Sequence, residues 1–301
     1  MISEKPCIPE GAGQELVERQ ESAILLGDCH AWLKSFPAGV FRTCVTSPPY
    51  WGLRDYGVEQ QIGAEAQLEQ YLMSLVGVFR EVRRVLAEDG TLWLNVGDSY
   101  TSGNRKWRDA DKKNPARAME YRPATPQGLK PKDLIGVPWR LAFALQADGW
   151  YLRSDIIWNK PNCQPESVKD RPTRCHEYIF LMSKGKNYYY DHESVREPTL
   201  ERKLQRNRRS VWSINTEGFP EAHFATFPPA LVEPCVLAGS KADDWVLDPF
   251  FGSGTVGVVC QQLGRRFVGI ELKEEYASMA LRRVGSEAKL WRPAVRLISG
   301  L

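Results

Sequence analysis

The chain has 301 residues, of which 43% are hydrophobic and 26% are charged, a composition typical of a globular protein with one large or two modest domains. Lys and Arg number 40 and Asp and Glu 37, and the net charge of +3 is too small to indicate a nucleic-acid partner by itself. Because the sequence contains no run of about 18 apolar residues and no apolar leader, we expect a cytoplasmic protein without membrane contact.

The predicted elements alternate between strands and helices. In chain order they are a loosely ordered tail over 1–20, strands at 22–27 and 40–46, a helix over 68–86 stopped by Asp89-Gly90, a strand at 91–96, a helix over 138–149, strands at 150–158 and 177–182, a helix over 228–238, a strand at 245–247, a helix over 255–263, a strand at 267–270 and a helix over 274–284. This alternation predicts an α/β domain over 21–301 with a mostly parallel sheet.

Two basic stretches interrupt this rhythm, one within 99–132 and the other within 191–222. Each is either a solvated surface segment or a surface that closes on a polyanion. The candidate DNA-binding residues are Arg105, Lys106, Arg108, Lys112, Lys113, Arg171, Arg202, Lys203, Arg206, Arg208 and Arg209.

The seven cysteines include no CxxC pair, and the four histidines lack the spacing of metal ligands. A disulfide framework and a zinc centre are therefore not expected, and we predict no metal site.

A glycine turn follows the strand at 245–247. Gly252, Gly254 and Gly257 form G-x-G-x-x-G, and Glu271 ends the next strand about 20 residues later, as in the dinucleotide fingerprint. The same pattern also suits S-adenosylmethionine or a tight strand-to-helix connection. Asp248 favours S-adenosylmethionine, because a carboxylate would repel a pyrophosphate and attract an ammonium or sulfonium.

The tetrapeptide Ser47-Pro48-Pro49-Tyr50 lies at the carboxyl end of the strand at 40–46, where open α/β sheets bind ligands. A nucleobase amine is a poor nucleophile, because its lone pair is delocalised into the ring. The Ser47 hydroxyl and the Pro48 carbonyl can accept its N–H groups, and Tyr50 can stack on a flipped base. The alternative is a rigid turn with a packed tyrosine.

Together the two motifs resemble those of the DNA amino-methyltransferases that modify cytosine N4 or adenine N6. The S-P-P-Y loop precedes the F-x-G-x-G turn at 250–254, the order of the permuted group called beta-class, of bacterial, archaeal or phage origin. The resemblance implies a circularly permuted, Rossmann-like S-adenosylmethionine-dependent methyltransferase fold, with an open, mostly parallel sheet and helices on both faces.

The resemblance also implies roles for individual residues. Ser47, Pro48, Pro49 and Tyr50 are the expected catalytic residues, and segment 170–177 is expected near the target base. The expected S-adenosyl-L-methionine-binding residues are Asp28, Thr226, Phe227, Asp248, Pro249, Phe250, Gly252, Ser253, Gly254, Thr255 and Glu271. Target recognition is expected in 99–132 and 191–222, and the implied partners are double-stranded DNA, a second copy of the chain and a separately encoded cognate restriction endonuclease.

Serine at position 47, where the resembling adenine enzymes usually carry aspartate, favours cytosine N4 as the target, with adenine N6 as the alternative. RNA substrates, a nicotinamide-dependent oxidoreductase and a non-catalytic nucleic-acid-binding protein are further alternatives. Carbon-5 methylation would need a cysteine nucleophile; Cys235 follows a proline, but its apolar neighbours indicate a packed residue.

Overall fold

The computed structural model describes residues 8–9, 11–53, 57–58, 61–101, 123–199, 204–218, 227–287 and 295–300. The helices in this part of the chain are α1 (Ala12–Arg19), α2 (Cys29–Ser35), α3 (Leu68–Val85), α4 (Val137–Ala147), α5 (Pro229–Gly239), α6 (Thr255–Gln262) and α7 (Glu274–Glu287). The strands are β1 (Ala23–Leu26), β2 (Phe41–Thr46), β3 (Leu86–Val96), β4 (Tyr151–Asn159), β5 (His176–Ser183), β6 (Glu197–Pro198), β7 (Gln205–Arg206), β8 (Val211–Ser213), β9 (Trp245–Asp248), β10 (Arg266–Glu271) and β11 (Arg296–Ser299).

Nine of these strands form one sheet in the order β11-β1-β10-β9-β2-β3-β5-β4-β8. Strand β5 runs antiparallel to β3 and β4, and the other pairs in this sheet are parallel. Buried side chains of α1 to α4 pack with strand residues in one hydrophobic cluster, and those of α5 to α7 pack in another. Helices therefore cover both faces of the sheet. The expected Rossmann-like architecture is confirmed.

The strand order reverses between β2 and β9. From β9 the chain passes through α6 to β10 on one side, whereas from β2 it passes through α3 to β3 on the other. Ligands of open α/β sheets bind at the carboxyl ends of the strands at such a switch point. The loop that follows β2 begins at Ser47 and the turn that follows β9 begins at Pro249, so both predicted motifs lie at this crevice.

Two local expectations differ from the structure. Residues 12–19, expected in a loose tail, form α1, because Leu16 packs into the core with 5% of its surface exposed. Asp89-Gly90 does not stop the helix: α3 already ends at Val85, and β3 begins at the next residue. The dipeptide instead belongs to an irregularity in β3, whose register with β2 shifts between Phe41 and Thr43.

Several predicted site residues lie outside the described residues. They are Arg105, Lys106, Arg108, Lys112, Lys113, Arg202, Lys203 and Thr226. Within the described ranges, none of the helices has the length and apolarity that a membrane crossing requires.

Candidate active site

A cavity of about 1010 Å³ opens at the carboxyl ends of the central strands. Residues 47–50 line one wall, and the glycine turn after β9 lines another. The other predicted cofactor residues in its lining are Asp28, Phe227, Pro249, Phe250, Gly252, Ser253, Thr255 and Glu271. The fold thus brings the two sequence motifs together around one space.

The turn needs glycine at positions 252 and 254 for different structural reasons. Both adopt positive φ, +51° at Gly252 and +79° at Gly254, a region that glycine occupies without strain. A Cβ on Gly252 would approach only the Phe250 carbonyl oxygen, at 4.0 Å, whereas one on Gly254 would lie 3.0 Å from the Ala280 Cβ. Gly252 therefore keeps space open at the cavity, and Gly254 allows the turn to pack on α7.

Two carboxylates stand at the strand ends beside this turn. Glu271 ends β10 and accepts hydrogen bonds from the backbone amides of Gly252, at 2.8 Å, and Lys273, at 2.9 Å. Burial raises its pKa. Asp28 follows the adjacent strand β1, is exposed to the cavity and caps α2 by accepting the Ala31 amide at 2.8 Å. The pair provides the acceptors that hydroxyl and amine groups of a nucleoside require.

The Asp248 side chain is not in the lining of the cavity. Its side chain is 1% exposed and lies under the turn, where Oδ1 accepts the Thr46 hydroxyl at 2.6 Å and the Phe250 amide at 3.1 Å. Burial raises its pKa to about 7. Asp248 thus connects β2 to the turn after β9, and its contact with a cofactor cation stays a prediction.

The hydroxyl groups of the turn have a partner that the sequence did not reveal. Arg283 of α7 is buried and donates hydrogen bonds of 3.0 Å to the side chains of Ser253 and Thr255. This contact fixes the start of α6 against α7.

The loop at 47–50 is held by α3 and by the segment that precedes it. The Tyr71 hydroxyl of α3 donates to the Pro49 carbonyl oxygen at 2.8 Å. Gly63 packs against the backbone of Tyr50, where an added Cβ would lie 3.2 Å from the carbonyl oxygen. The two prolines fix φ within the loop, so Ser47 is presented on a stiff segment.

A polar cluster of three further side chains surrounds the Tyr50 hydroxyl, and the sequence did not identify it as a unit. The hydroxyl donates to Glu177 Oε2 at 2.9 Å and lies 3.4 Å from Ser47 Oγ. Asn95 Nδ2 also donates to Glu177 Oε2, at 3.2 Å, and the Lys160 ammonium pairs with Glu177 Oε1. Of these, only Glu177 fell in a segment expected near the target base.

The predicted recognition residues in the described chain differ in their surroundings. Arg206 makes two 2.9 Å contacts with Glu197 across the β6–β7 pair, whereas Arg209 is exposed. The Arg208 guanidinium lies over the Trp212 ring at 4.5 Å, and Arg171 pairs with Glu166 at 2.6 Å. Arg209 is therefore better placed than Arg206 to contact a phosphate.

The described part of the chain contains no metal cluster, and its Cys235 is not placed to act as a nucleophile. No group of three or more His, Cys, Asp and Glu side chains there could hold a metal ion. Cys235 is 2% exposed within α5, and burial raises the pKa of its thiol. A buried, protonated thiol does not act as the nucleophile that carbon-5 methylation needs.

Comparison with known proteins identifies the family. Residues 41–282 match the N6_N4_Mtase family, described as DNA methylase. The chain belongs to this DNA methylase family. It is 66% identical over 262 residues to the Type II methyltransferase M.SmaI of Serratia marcescens, covering 87% of this chain and 90% of that one. The Type II methyltransferase M.Cfr9I of Citrobacter freundii is 61% identical over 273 residues, 91% of each chain.

Solved structures agree with this assignment. TTHA0409 of Thermus thermophilus, complexed with S-adenosyl-L-methionine, is 26% identical with a TM-score of 0.63, and the match covers 93% of this chain and 99% of that one. The PvuII DNA methyltransferase (cytosine-N4-specific) shares the fold, with a TM-score of 0.65 at 20% identity over 86% of this chain and 85% of that one.

The methylase family excludes the oxidoreductase and non-catalytic alternatives. The protein is a DNA methyltransferase of the N6/N4 type, and S-adenosyl-L-methionine is its cofactor. The space beside Gly252 and the adjacent carboxylates of Asp28 and Glu271 fit this cofactor, whose adenosine part carries hydroxyl and amine donors.

Proposed function

We propose that this DNA methyltransferase modifies the exocyclic N4 amine of cytosine in double-stranded DNA, acting on a base flipped out of the duplex. The observation that carries the proposal is the neutral Ser47 at the first position of the catalytic loop, on the wall of the cavity that also contains the glycine turn. A neutral acceptor suits the cytosine amine, and resembling adenine enzymes usually carry aspartate there.

The proposed chemistry assigns hydrogen-bond acceptors to one wall and the cofactor to the other. The Ser47 hydroxyl and the Pro48 carbonyl accept the two N–H groups of the amine, which directs the nitrogen lone pair toward the turn. The Tyr50 ring gives the base a stacking surface. Bound S-adenosyl-L-methionine supplies an electrophilic methyl group. Asp28, Glu271 and the backbone at Gly252 hold its adenosine part in place.

DNA recognition is proposed for the two basic segments, 99–132 and 191–222, with Arg171 between them. Their Lys and Arg side chains neutralise phosphates and fix the register of the protein on the duplex. We also propose a homodimer, a cytoplasmic location and a separately encoded restriction endonuclease. The Type II names of the relatives support the last of these.

Nucleoside mass spectrometry tests the assignment of the base. The protein is incubated with S-adenosyl-L-methionine and unmethylated plasmid DNA, which is then digested to nucleosides. We expect N4-methylcytosine, and none from the Gly252→Asp variant, whose side chain enters the space beside the turn. N6-methyladenine alone would overturn the cytosine assignment while leaving the fold and the cofactor unchanged.

A further inference from the structure

A serine that accepts an amine N–H must direct its own hydrogen elsewhere. A hydroxyl group has one hydrogen and two lone pairs, and its hydrogen rotates toward the best acceptor available. If the Ser47 hydrogen pointed into the cavity, it would face the N–H groups of the amine. Both groups would then be donors, and no hydrogen bond could form between them. The acceptor role proposed for Ser47 therefore requires a partner that takes this hydrogen.

Tyr50 is in position to be that partner. Its hydroxyl oxygen lies 3.4 Å from Ser47 Oγ and 2.9 Å from Glu177 Oε2. The carboxylate only accepts, so the single hydrogen of Tyr50 goes to Glu177, and a lone pair of the Tyr50 oxygen faces Ser47. The Ser47–Tyr50 contact is long, as hydrogen bonds in catalytic sites often are before substrate binds.

Competing arrangements of the Tyr50 hydrogen are weaker. Asn95 Oδ1 is the other acceptor, at 3.4 Å, and it carries no charge. The Asn95 amide is oriented by two acceptors for its Nδ2, Glu177 Oε2 at 3.2 Å and the Tyr178 carbonyl at 3.1 Å. The short, charge-assisted hydrogen bond to Glu177 therefore sets the order of donors: Tyr50 donates to Glu177, and Ser47 donates to Tyr50.

Glu177 is itself held from more than one strand. Lys160, which directly follows β4, pairs with Oε1, and its ammonium group lies 4.1 Å from the centre of the Trp158 ring. Asn95 reaches Glu177 from β3. The Tyr50 ring is confined as well, since a Cβ on Gly97 would lie 2.6 Å from its Cε2 atom. Burial and the nearby Glu177 raise the pKa of Tyr50, which keeps the phenol protonated as a donor.

We propose that Glu177 is a positioning residue for methyl transfer, which acts through the Tyr50 hydroxyl to orient Ser47 as an acceptor for the target amine. The negative charge of Glu177 thus acts on the target amine through the Tyr50 and Ser47 hydroxyls rather than by direct contact with the base. The inference rests on the proposed role of Ser47, and it holds for a cytosine or an adenine amine.

Single-turnover methyl transfer from labelled S-adenosyl-L-methionine to plasmid DNA tests the proposal. Tyr50→Phe retains the stacking ring but removes the hydroxyl, and Glu177→Gln removes the charge. We expect each variant to lower the rate roughly 10- to 100-fold, with the dissociation constants for DNA and S-adenosyl-L-methionine changed less than about twofold. The matched controls are Tyr188→Phe and Glu15→Gln, which remove the same groups outside the cavity lining; wild-type rates are expected for both.

A double-mutant cycle separates this role from a purely structural one. In the Ser47→Ala background the hydroxyl that Tyr50 orients is absent, so Tyr50→Phe is expected to cost less than about twofold. An equal loss in both backgrounds, or a wild-type rate for Tyr50→Phe alone, would overturn the inference. If Glu177→Gln fails to fold because Lys160 loses its partner, the Tyr50→Phe cycle still tests whether the Tyr50 hydroxyl, through which Glu177 is proposed to act, orients Ser47.

The same assay keeps the two proposals apart. The nucleoside formed by the wild-type protein reports on the target base, whereas the relative rates of the variants report on Glu177. Wild-type formation of N4-methylcytosine together with an unimpaired Tyr50→Phe variant would reject only the role of Glu177.

Discussion

The glycines at 252 and 254 show how one motif serves two purposes at the residue scale. The turn requires positive φ at both positions, but only the Cβ position of Gly252 faces open space. The sequence motif makes the two glycines look equivalent, whereas their neighbours differ: Gly254 packs on α7, and Gly252 leaves space in which we propose that the cofactor binds.

Alanine substitutions separate these purposes. Both variants should lose about 1 kcal/mol of unfolding free energy, because alanine is strained at positive φ. We expect Gly252→Ala to weaken S-adenosyl-L-methionine binding at least about tenfold. Gly254→Ala should lose further stability from the 3.0 Å approach to Ala280. Calorimetry and urea unfolding measure the two effects, and cofactor affinity unchanged in Gly252→Ala would contradict the placement of the cofactor.

Asp248 predicts a pH dependence of stability. Burial raises its pKa in the folded protein to about 7 from 3.8, so between these values the folded protein holds a proton that the unfolded chain releases. Its contribution to stability therefore falls as pH rises from about 4 to about 7. Without cofactor, Asp248→Asn should gain roughly 2 kcal/mol relative to wild type between pH 5 and pH 8, measured by urea unfolding. A difference independent of pH would show that Asp248 ionises normally.

At the scale of elements, α1 extends the domain beyond its expected boundary at residue 21. Leu16 is 5% exposed in the core, and Gly13 allows α1 to approach α2, since a Cβ there would lie 2.7 Å from Ser35 Oγ. Leu16→Ala should cost about 2–4 kcal/mol of unfolding free energy, while the exposed Glu18→Ala should change it by less than about 0.5 kcal/mol. Equal, small losses in denaturant unfolding would mean that α1 is not docked.

In the second basic segment, 191–222, the β6–β7 pair places Arg206 against Glu197 and leaves Arg209 exposed. Arg209→Ala should reduce the slope of the logarithm of the binding constant against the logarithm of the salt concentration by about 1, the contribution of one phosphate contact. Arg206→Ala should change it less, because Glu197 already neutralises Arg206 at 2.9 Å. Fluorescence anisotropy with duplex DNA at several salt concentrations measures both slopes, and identical slopes for the two variants would refute this division of roles.

At the scale of the whole molecule, the sheet joins two loops that are far apart in the chain. Thr46 and Asp248 are 202 residues apart in sequence and 2.6 Å apart through their side chains. Strand β2, which leads into the loop at 47–50, comes long before β9, which leads into the glycine turn, yet the two strands are neighbours in the sheet. Cofactor binding at this junction should stabilise the domain as a unit.

Thermal unfolding tests this expectation. At 100 times its dissociation constant, S-adenosyl-L-methionine should add about 2.7 kcal/mol to the unfolding free energy and raise Tm by roughly 5 °C. NAD at the same concentration should leave Tm unchanged, as should S-adenosyl-L-methionine with the Gly252→Asp variant. A Tm increase with NAD would indicate a different nucleotide site.

The sequence by itself determined the fold class, the order of the main elements and the two loops of the site. These features depend on local patterns: hydrophobic periodicity along each element, prolines that end a strand, and glycines that open a turn. The Ser47–Tyr50 loop and the turn at 250–254 were therefore recognisable before any contact was known.

Only the tertiary structure decided which side chains face the cavity. It buried Asp248 beside Thr46, and it placed Arg283 on the turn and Glu177 on Tyr50. These contacts join residues from different strands and helices, and their burial depends on neighbours that no local pattern specifies. A carboxylate in a motif has the same appearance in sequence whether it binds a ligand or supports a loop. The difference lies in the packing around it.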